Sequence, residues 1–301
     1  VVSYEKAVLQ SEDKLPIAII AHYSGNNVYL SKSSGNDFIG NGSGDSPFLS
    51  LNRALRATEN GDTLSLNNGT YNAVNESYNK VFSFRSNPGQ DSVLINFNGS
   101  WVLHDSTGKD VNFIDIKTQN MSLNIQDINH FDVKNSDLGL STVLIESGYI
   151  SVNNSKLSGG GHTTLKAESN VNLISSEFHG ITNVGIKIES NDLMIKESEF
   201  NNNSSVLFDV ENSIVDTLNS YIGNGLSINT NSLISKNSSF SNNHSVNINY
   251  NNGNWQHSQL HHNYGFSISG STEISHLSSI DNYGTVHLDD ISMLMIDSSV
   301  F

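Results

Sequence analysis

The sequence predicts an all-β fold, a parallel β-solenoid with three short strands per coil and about 10–11 coils. Three observations carry that prediction: a repeat near 20 residues, alternation within the repeat, and a composition ruled by Asn and Ser. The pattern Ser, any residue, large apolar residue recurs at Ser136-Asp-Leu138, Ser155-Lys-Leu157, Ser176-Glu-Phe178, Ser198-Glu-Phe200 and Ser220-Tyr-Ile222. It continues at Ser238-Ser-Phe240, Ser258-Gln-Leu260, Ser278-Ser-Ile280 and Ser299-Val-Phe301. Steps between the apolar anchors are 19, 21, 22, 22, 18, 20, 20 and 21 residues. Seven and five places before the anchor stand pairs such as Ile150/Val152, Val171/Leu173 and Leu193/Ile195, the period-2 mark of a strand with one face inward. A further strand begins twelve to fifteen places before the anchor, as in Val143-Leu-Ile, Leu165-Lys-Ala and Ile186-Lys-Ile.

Three short strands cannot bury their faces alone, so each coil must stack on the next in parallel, rising about 4.8 Å per coil. Leu157, Phe178, Phe200, Ile222, Phe240, Leu260 and Ile280 are then the core anchors. Two places after the anchor recur Asn202, Asn224, Asn242 and Asn282. Asn suits such turns because it tolerates left-handed backbone and its amide can bond the amides above and below. That use accounts for 43 Asn and 49 Ser in 301 residues, with 3 Pro and no Cys.

Residues 1–24 show no repeat and read as a linker or the edge of a neighbouring region, and 25–301 as one solenoid domain. Asn27-Val-Tyr-Leu-Ser31 is a strand, followed by a Gly/Asn/Asp loop from 33 to 46. Over 47–58, Phe48, Leu51, Ala54 and Leu55 have the spacing of an amphipathic helix, which laid over the open end would protect a sheet edge. Regular coils occupy 120–301. Because the chain stops on an anchor, the coils are expected to continue beyond 301, or a second copy to abut there in self-assembly.

The stretch Val28-Tyr-Leu-Ser-Lys32, Gly35-Asn-Asp37, Gly42 to Pro47-Phe48, Gly61-Asp-Thr63 and Gly69-Thr-Tyr71 resembles the opening of pectin-lyase-like right-handed parallel β-helix proteins. Glu199-Phe-Asn-Asn202 and Ser239-Phe-Ser-Asn-Asn243 are similar to the repeat signature of polymorphic outer-membrane-protein and adhesin-like β-helices. The resemblance implies a right-handed coil, and the Asn column resembles the asparagine ladder of that fold. It implies two function classes: surface adhesion or display, and action on polysaccharides.

The composition narrows the chemistry. A net charge of −15 repels nucleic acid and anionic membranes and leaves cations, neutral glycans and proteins as partners. No segment has the roughly 20 apolar residues of a membrane span. With no Cys, disulfides, thiolate metal sites and cysteine nucleophiles are excluded. Sequons are no more frequent than this Asn and Ser content dictates, so they do not reveal glycosylation. A lyase of the resembling family needs carboxylate-held calcium beside an Arg or Lys, and a hydrolase needs clustered Asp with His and a basic clamp. Arg occurs only at 53, 56 and 85, and Lys236 is the sole Lys after Lys196, so no such constellation stands along the coils.

No catalytic residue is therefore assigned. Glu146, Glu168, Glu189 and Glu211 recur ten or eleven places before their anchors. Stacked, four carboxylates must either splay into water or be bridged by a cation, and calcium is the one cofactor they suggest. His257, His261, His262, His276 and His287 cluster late, as surface or turn histidines or as a pair in adjacent coils. Trp255, Tyr250, Tyr264 and Tyr283 are core residues or a platform for a sugar ring. The reading is a non-catalytic, extracellular or cell-surface module for adhesion, display or filament assembly, meeting protein or glycan. The alternatives are a polysaccharide-active enzyme using His104, Asp105, Asp110 and Asp115 near the arginines, and a glycan- or calcium-binding module.

Overall fold

A strand with one apolar face is stable only against another such face, and here the partner is the next turn of the same chain. The computed structural model describes residues 2–4, 21–23, 25–74, 77–104, 107–182, 185–241, 243–280 and 286–296. Within those breaks its side chains are described from 25 to 270, except at 217 and 219–224. The chain forms a parallel β-solenoid of about ten turns. One inward column runs Val28↔Leu64↔Phe84↔Phe113↔Val133↔Val152↔Leu173↔Ile195 by parallel pairing, and every member is buried. Each such side chain contributes about 1.5–3 kcal/mol over its exposed state. Pairing to the neighbouring coils makes Gly185–Lys236 one continuous strand element, although it contains left-handed bends at Glu197 and Asn202. Val2–Tyr4 and Ala21–Tyr23 pair antiparallel as a separate two-stranded sheet.

The helix is shorter than the 47–58 expected. It spans Leu51–Ala57, because Ser50 caps it by accepting from Arg53 N at 3.2 Å. Asp37 accepts from Leu49 N and Ser50 N at 2.9 and 3.0 Å, which pins the preceding loop to the helix start. Leu51, Ala54, Leu55 and Ala57 face the core. At the far end Lys80 Nζ donates to the Leu55 carbonyl at 2.9 Å and to that of Thr58, satisfying acceptors that a helix C-terminus leaves open.

The bend into the third strand repeats in detail. Three places before the anchor stand Asn135, Asn154, Ser175, Glu197, Asn237 and His257, all left-handed with φ between 47° and 52°. Next comes a buried serine: Ser136, Ser155, Ser176, Ser198, Ser238 or Ser258. Its hydroxyl donates to the carbonyl two residues back, at 2.8 Å for Ser176 and 2.7 Å for Ser155. The same oxygen accepts the backbone N–H of the preceding coil's serine, 3.1 Å from Ser136 to Ser155, 3.3 Å from Ser155 to Ser176 and 3.2 Å from Ser176 to Ser198. The recurring Ser is thus an internal hydroxyl ladder that satisfies peptide groups no water reaches.

The anchors Leu157, Phe178, Phe200, Phe240 and Leu260 are buried, and Phe178 stacks on Phe200 at 4.7 Å. Two anchors need correction. Phe240 pairs with Ser220, not Ile222, because Leu218 takes the ladder position, its N–H donating to Ser238 Oγ at 3.3 Å. Leu260 pairs with Ser279, and Ile280 lies opposite His261, one place off the column. Backbone register, set by the whole coil, overrides a match of three residues.

The asparagine column is also displaced. Asn202 is exposed and left-handed with φ 54°. The buried amides are one residue on, at Asn203, Asn243 and Asn263, with exposures of 1%, 0% and 0%. Asn243 N and Nδ2 both donate to Asn263 Oδ1 at 3.0 and 2.9 Å, and Asn263 Nδ2 donates to the Phe240 carbonyl at 2.9 Å. Asn203 Nδ2 likewise donates to the Phe178 carbonyl at 2.9 Å. A polar side chain that caps carbonyls inside a turn must point inward, whereas the second place after the anchor points out. The side chain of Asn224 and the whole of Asn242 and Asn282 lie outside the described residues.

The hydroxyl ladder makes a prediction. Ser176→Ala leaves a buried N–H and a buried carbonyl short of partners and costs about 1–3 kcal/mol. Ser175→Gly, at the exposed left-handed neighbour, is neutral or stabilising. Equilibrium urea unfolding of both variants checks this, and equal midpoints would remove the ladder as a stability element.

Candidate functional site

The left-handed bend turns the outer surface inward and leaves a furrow along the stack. The result is a groove of about 1080 Å³. Its floor is Ile116 with the buried Ser136, Ser155 and Ser176. One wall is the left-handed column, Asp115, Asn135, Asn154, Ser175 and Glu197. The other is the outward column beside the anchors, which pairs in the order Lys117↔Asp137↔Lys156↔Glu177↔Glu199. The turn Asn87-Pro-Gly-Gln-Asp91 belongs to the coil before Asp115 and lines that end. It is fixed in place by Gln90, whose Oε1 accepts from Asn68 N at 2.9 Å, and by Asn87 Nδ2 donating to Asn67 Oδ1 at 2.6 Å.

The polar walls are internally bonded. Asn154 Nδ2 donates to Asn135 Oδ1 at 2.9 Å, and Asn135 Nδ2 to Asp115 Oδ1 at 3.0 Å. Lys156 Nζ lies 3.3 Å from Glu177, Ser175 Oγ donates to Glu197 at 3.1 Å, and Asn201 Nδ2 to Glu199 at 2.9 Å. Six carboxylates face two lysines in the lining, so the groove keeps the sign of the whole chain.

The glutamate column is not assembled as four stacked carboxylates. Glu146 pairs with Lys166, and Lys166 with Glu189. Lys166 Nζ stands 3.3 Å from Glu146, and Lys187 closes on Glu189. A bulge between Lys166 and Asn170 takes Glu168 out of the ladder, so a Lys occupies the level where the spacing of glutamates suggests another carboxylate. Alternating charge relieves the repulsion that a cation would otherwise have to offset. Among the described residues no group of three or more His, Asp or Glu is arranged to hold a metal ion. A second groove of about 870 Å³ is lined by Lys166 and by Glu168, Glu189, Asp209 and Glu211, three of the four predicted glutamates among them, and runs to the amide pairs Asn229/Asn249 and Asn231/Asn251, bonded at 3.0 and 3.1 Å.

The residues considered for polysaccharide chemistry take separate partners. His104 pairs with Asp127 at 2.8 Å, Asp110 with His130 at 2.9 Å, and Asp115 belongs to the groove wall. Asp105 lies outside the described residues. Beside His130 the carboxyl of Asp132 is pushed above the usual carboxylate range by burial, helped by the charge of Asp110 and opposed by His130 and a hydrogen bond with Ser151. Sequence reading missed His130 and Asp132, since only the coil register sets them next to Asp110. Trp255 and Tyr250 are buried, and Trp255 packs on Phe240 at 5.9 Å. Tyr264 is 62% exposed and faces His244 at 5.9 Å, so these aromatics make no common platform. His261 and His262 have ring centroids 6.4 Å apart, while the side chains of His276 and His287 and all of Tyr283 lie outside the described residues.

No family model, no curated protein and no solved structure matches the chain. The register of the glutamates supplies a test. Calcium titration calorimetry is expected to give equal heats for the wild type and for Glu168→Gln/Glu189→Gln, because Glu189 is already paired by Lys187 and Glu168 lies off its ladder level. A heat lost in the variant would restore that column as a cation site.

Proposed function

We propose that the protein is a non-catalytic binding module of the β-solenoid kind, working at the cell surface or outside the cell and holding a protein or glycan along its length. One observation carries the reading: four of the six carboxylates of the larger groove are already engaged with their neighbours, Asp115 with Asn135, Glu177 with Lys156, Glu197 with Ser175 and Glu199 with Asn201. Groups held this way suit recognition, where fixed donors and acceptors limit the entropy lost on binding. A general acid and base would instead need two groups set apart in ionisation and facing one bond. The resemblance to adhesin-like and pectin-lyase-like β-helices belongs to the same proposal, as do a right-handed coil and a helix Leu51–Ala57 that covers the first coil.

A second reading has one observation behind it. The Asp110–His130 pair beside Asp132, with its raised carboxyl, has the residue types of a hydrolytic site,. One assay separates the two. The wild type, incubated with a broad panel of neutral and acidic polysaccharides, is expected to yield no new reducing ends and no unsaturated product. Product that appears with the wild type and vanishes with Asp132→Asn would replace the binding reading by hydrolysis.

A further inference from the structure

The larger groove has a direction, a repeat and a charge, and together these describe what fits it. It crosses five coils, from Asp115 to Glu197 on one wall and from Lys117 to Glu199 on the other. At about 4.8 Å per coil that is a trough of roughly 19 Å. Each coil supplies one polar group from each wall: Asn135 with Asp137, Asn154 with Lys156, Ser175 with Glu177. The spacing is close to the length of one sugar unit in an extended chain, so each successive unit would meet one polar side chain from either wall.

The left-handed wall is tied together by side-chain hydrogen bonds from Asp115 to Asn154 and from Ser175 to Glu197. The left-handed residues are fixed by the serine ladder beneath them, and the amides of Asn135 and Asn154 are locked to each other at 2.9 Å. The turn at 87–91 stands across the end nearer the N-terminal coils. Glu177, Glu197 and Glu199 gather at the other. With six carboxylates against two lysines, an acidic polymer is repelled at the distances of direct contact.

We infer that this groove binds an extended oligosaccharide of about five units that carries no acidic groups, lying parallel to the solenoid axis, with amino-bearing units favoured at the Glu177, Glu197 and Glu199 end. The inference rests on the binding-module reading and gives it a ligand class. Polar contacts to hydroxyls and amines, repeated coil after coil, supply the affinity, and the match of repeat length supplies the preference for a straight chain.

The test uses the full chain and defined probes in titration calorimetry: pentamers and dimers of β-1,4-linked glucose, N-acetylglucosamine, glucosamine, mannose and xylose, with a galacturonate pentamer as the acidic control. At least one neutral or amino pentamer is expected to bind, at least tenfold more tightly than its dimer and than the acidic pentamer. Glu177→Arg/Glu199→Arg places two long cations in the groove. It is expected to weaken the glucosamine pentamer at least tenfold and to improve the galacturonate pentamer, with circular dichroism unchanged. Absence of binding by every pentamer at millimolar concentration, equal affinity of dimer and pentamer, or binding indifferent to the double substitution would each overturn the groove as the site. Should the double variant fold poorly, the length and charge dependence of the wild type decides alone. Cleavage of a bound pentamer would support the groove and overturn only the non-catalytic reading, whereas a failure to bind leaves that reading to protein partners.

Discussion

The structure depends on the register with which one coil lies on the next. Parallel strands bond evenly along the stack, so a side chain keeps its neighbours for as long as the coils keep their length. The hard point is the bend into the third strand, where a left-handed residue interrupts the ladder and peptide groups turn away from their partners. The buried serine closes that gap. Ser155 shows the economy of it: one hydroxyl donates to Asn153 O at 2.7 Å and accepts from Ser136 N at 3.1 Å, so the bend repeats without a buried peptide group left open.

Once the bend is secured, outward chemistry follows from the columns it creates. A charge in one coil sees the residue at the same level of the next, about 4.8 Å away, and like charges there are destabilising. The observed columns answer to this. Glu146, Lys166 and Glu189 alternate in sign, as do Lys117, Asp137, Lys156 and Glu177. Where the alternation stops, at Glu177 and Glu199, each carboxylate has a bond to another partner, Lys156 for the first and Asn201 for the second. In these described columns a lysine or an amide thus stands against the carboxylates that the stacking would otherwise set against one another.

Much of this was legible in the sequence, and its failures share one cause. The repeat, the period-2 strands and the apolar anchors Leu157, Phe178, Phe200, Phe240 and Leu260 are patterns of hydrophobic burial, which sequence displays directly. Polar positions are different, because an Asn or Ser in this chain costs nothing as a coincidence. Asn202 and Asn203 are neighbours of the same type, and only the direction of the turn decides which amide goes inward. The inward amides of three described coils were nevertheless visible: Phe200, Phe240 and Leu260 are each followed three places later by Asn, while the second place varies. Ile222 misled for a related reason. Ser220 imitates the ladder serine, but Leu218 holds that level, and Ser220 itself lies at the anchor level, 20 residues before Phe240. The Asp110–His130 contact joins two coils at the ordinary offset of 20 residues, and it was missed because regular coils were read only from residue 120 onward, so the repeat was not carried back to Asp110.

The groove shows how a structural necessity becomes available for recognition. A bend that must be left-handed, and must hide its serine, draws the surface in at the same place in every coil. Its walls are then lined by whatever the two flanking columns carry. Those residues, unlike the serine, are free to vary without disturbing the ladder, as Asp115, Asn135, Asn154, Ser175 and Glu197 illustrate within one wall. On the binding reading proposed above, stability would reside in the floor and specificity in the walls, so a substitution that abolishes binding need not unfold the solenoid. This separation lets a solenoid change what it holds while keeping how it folds.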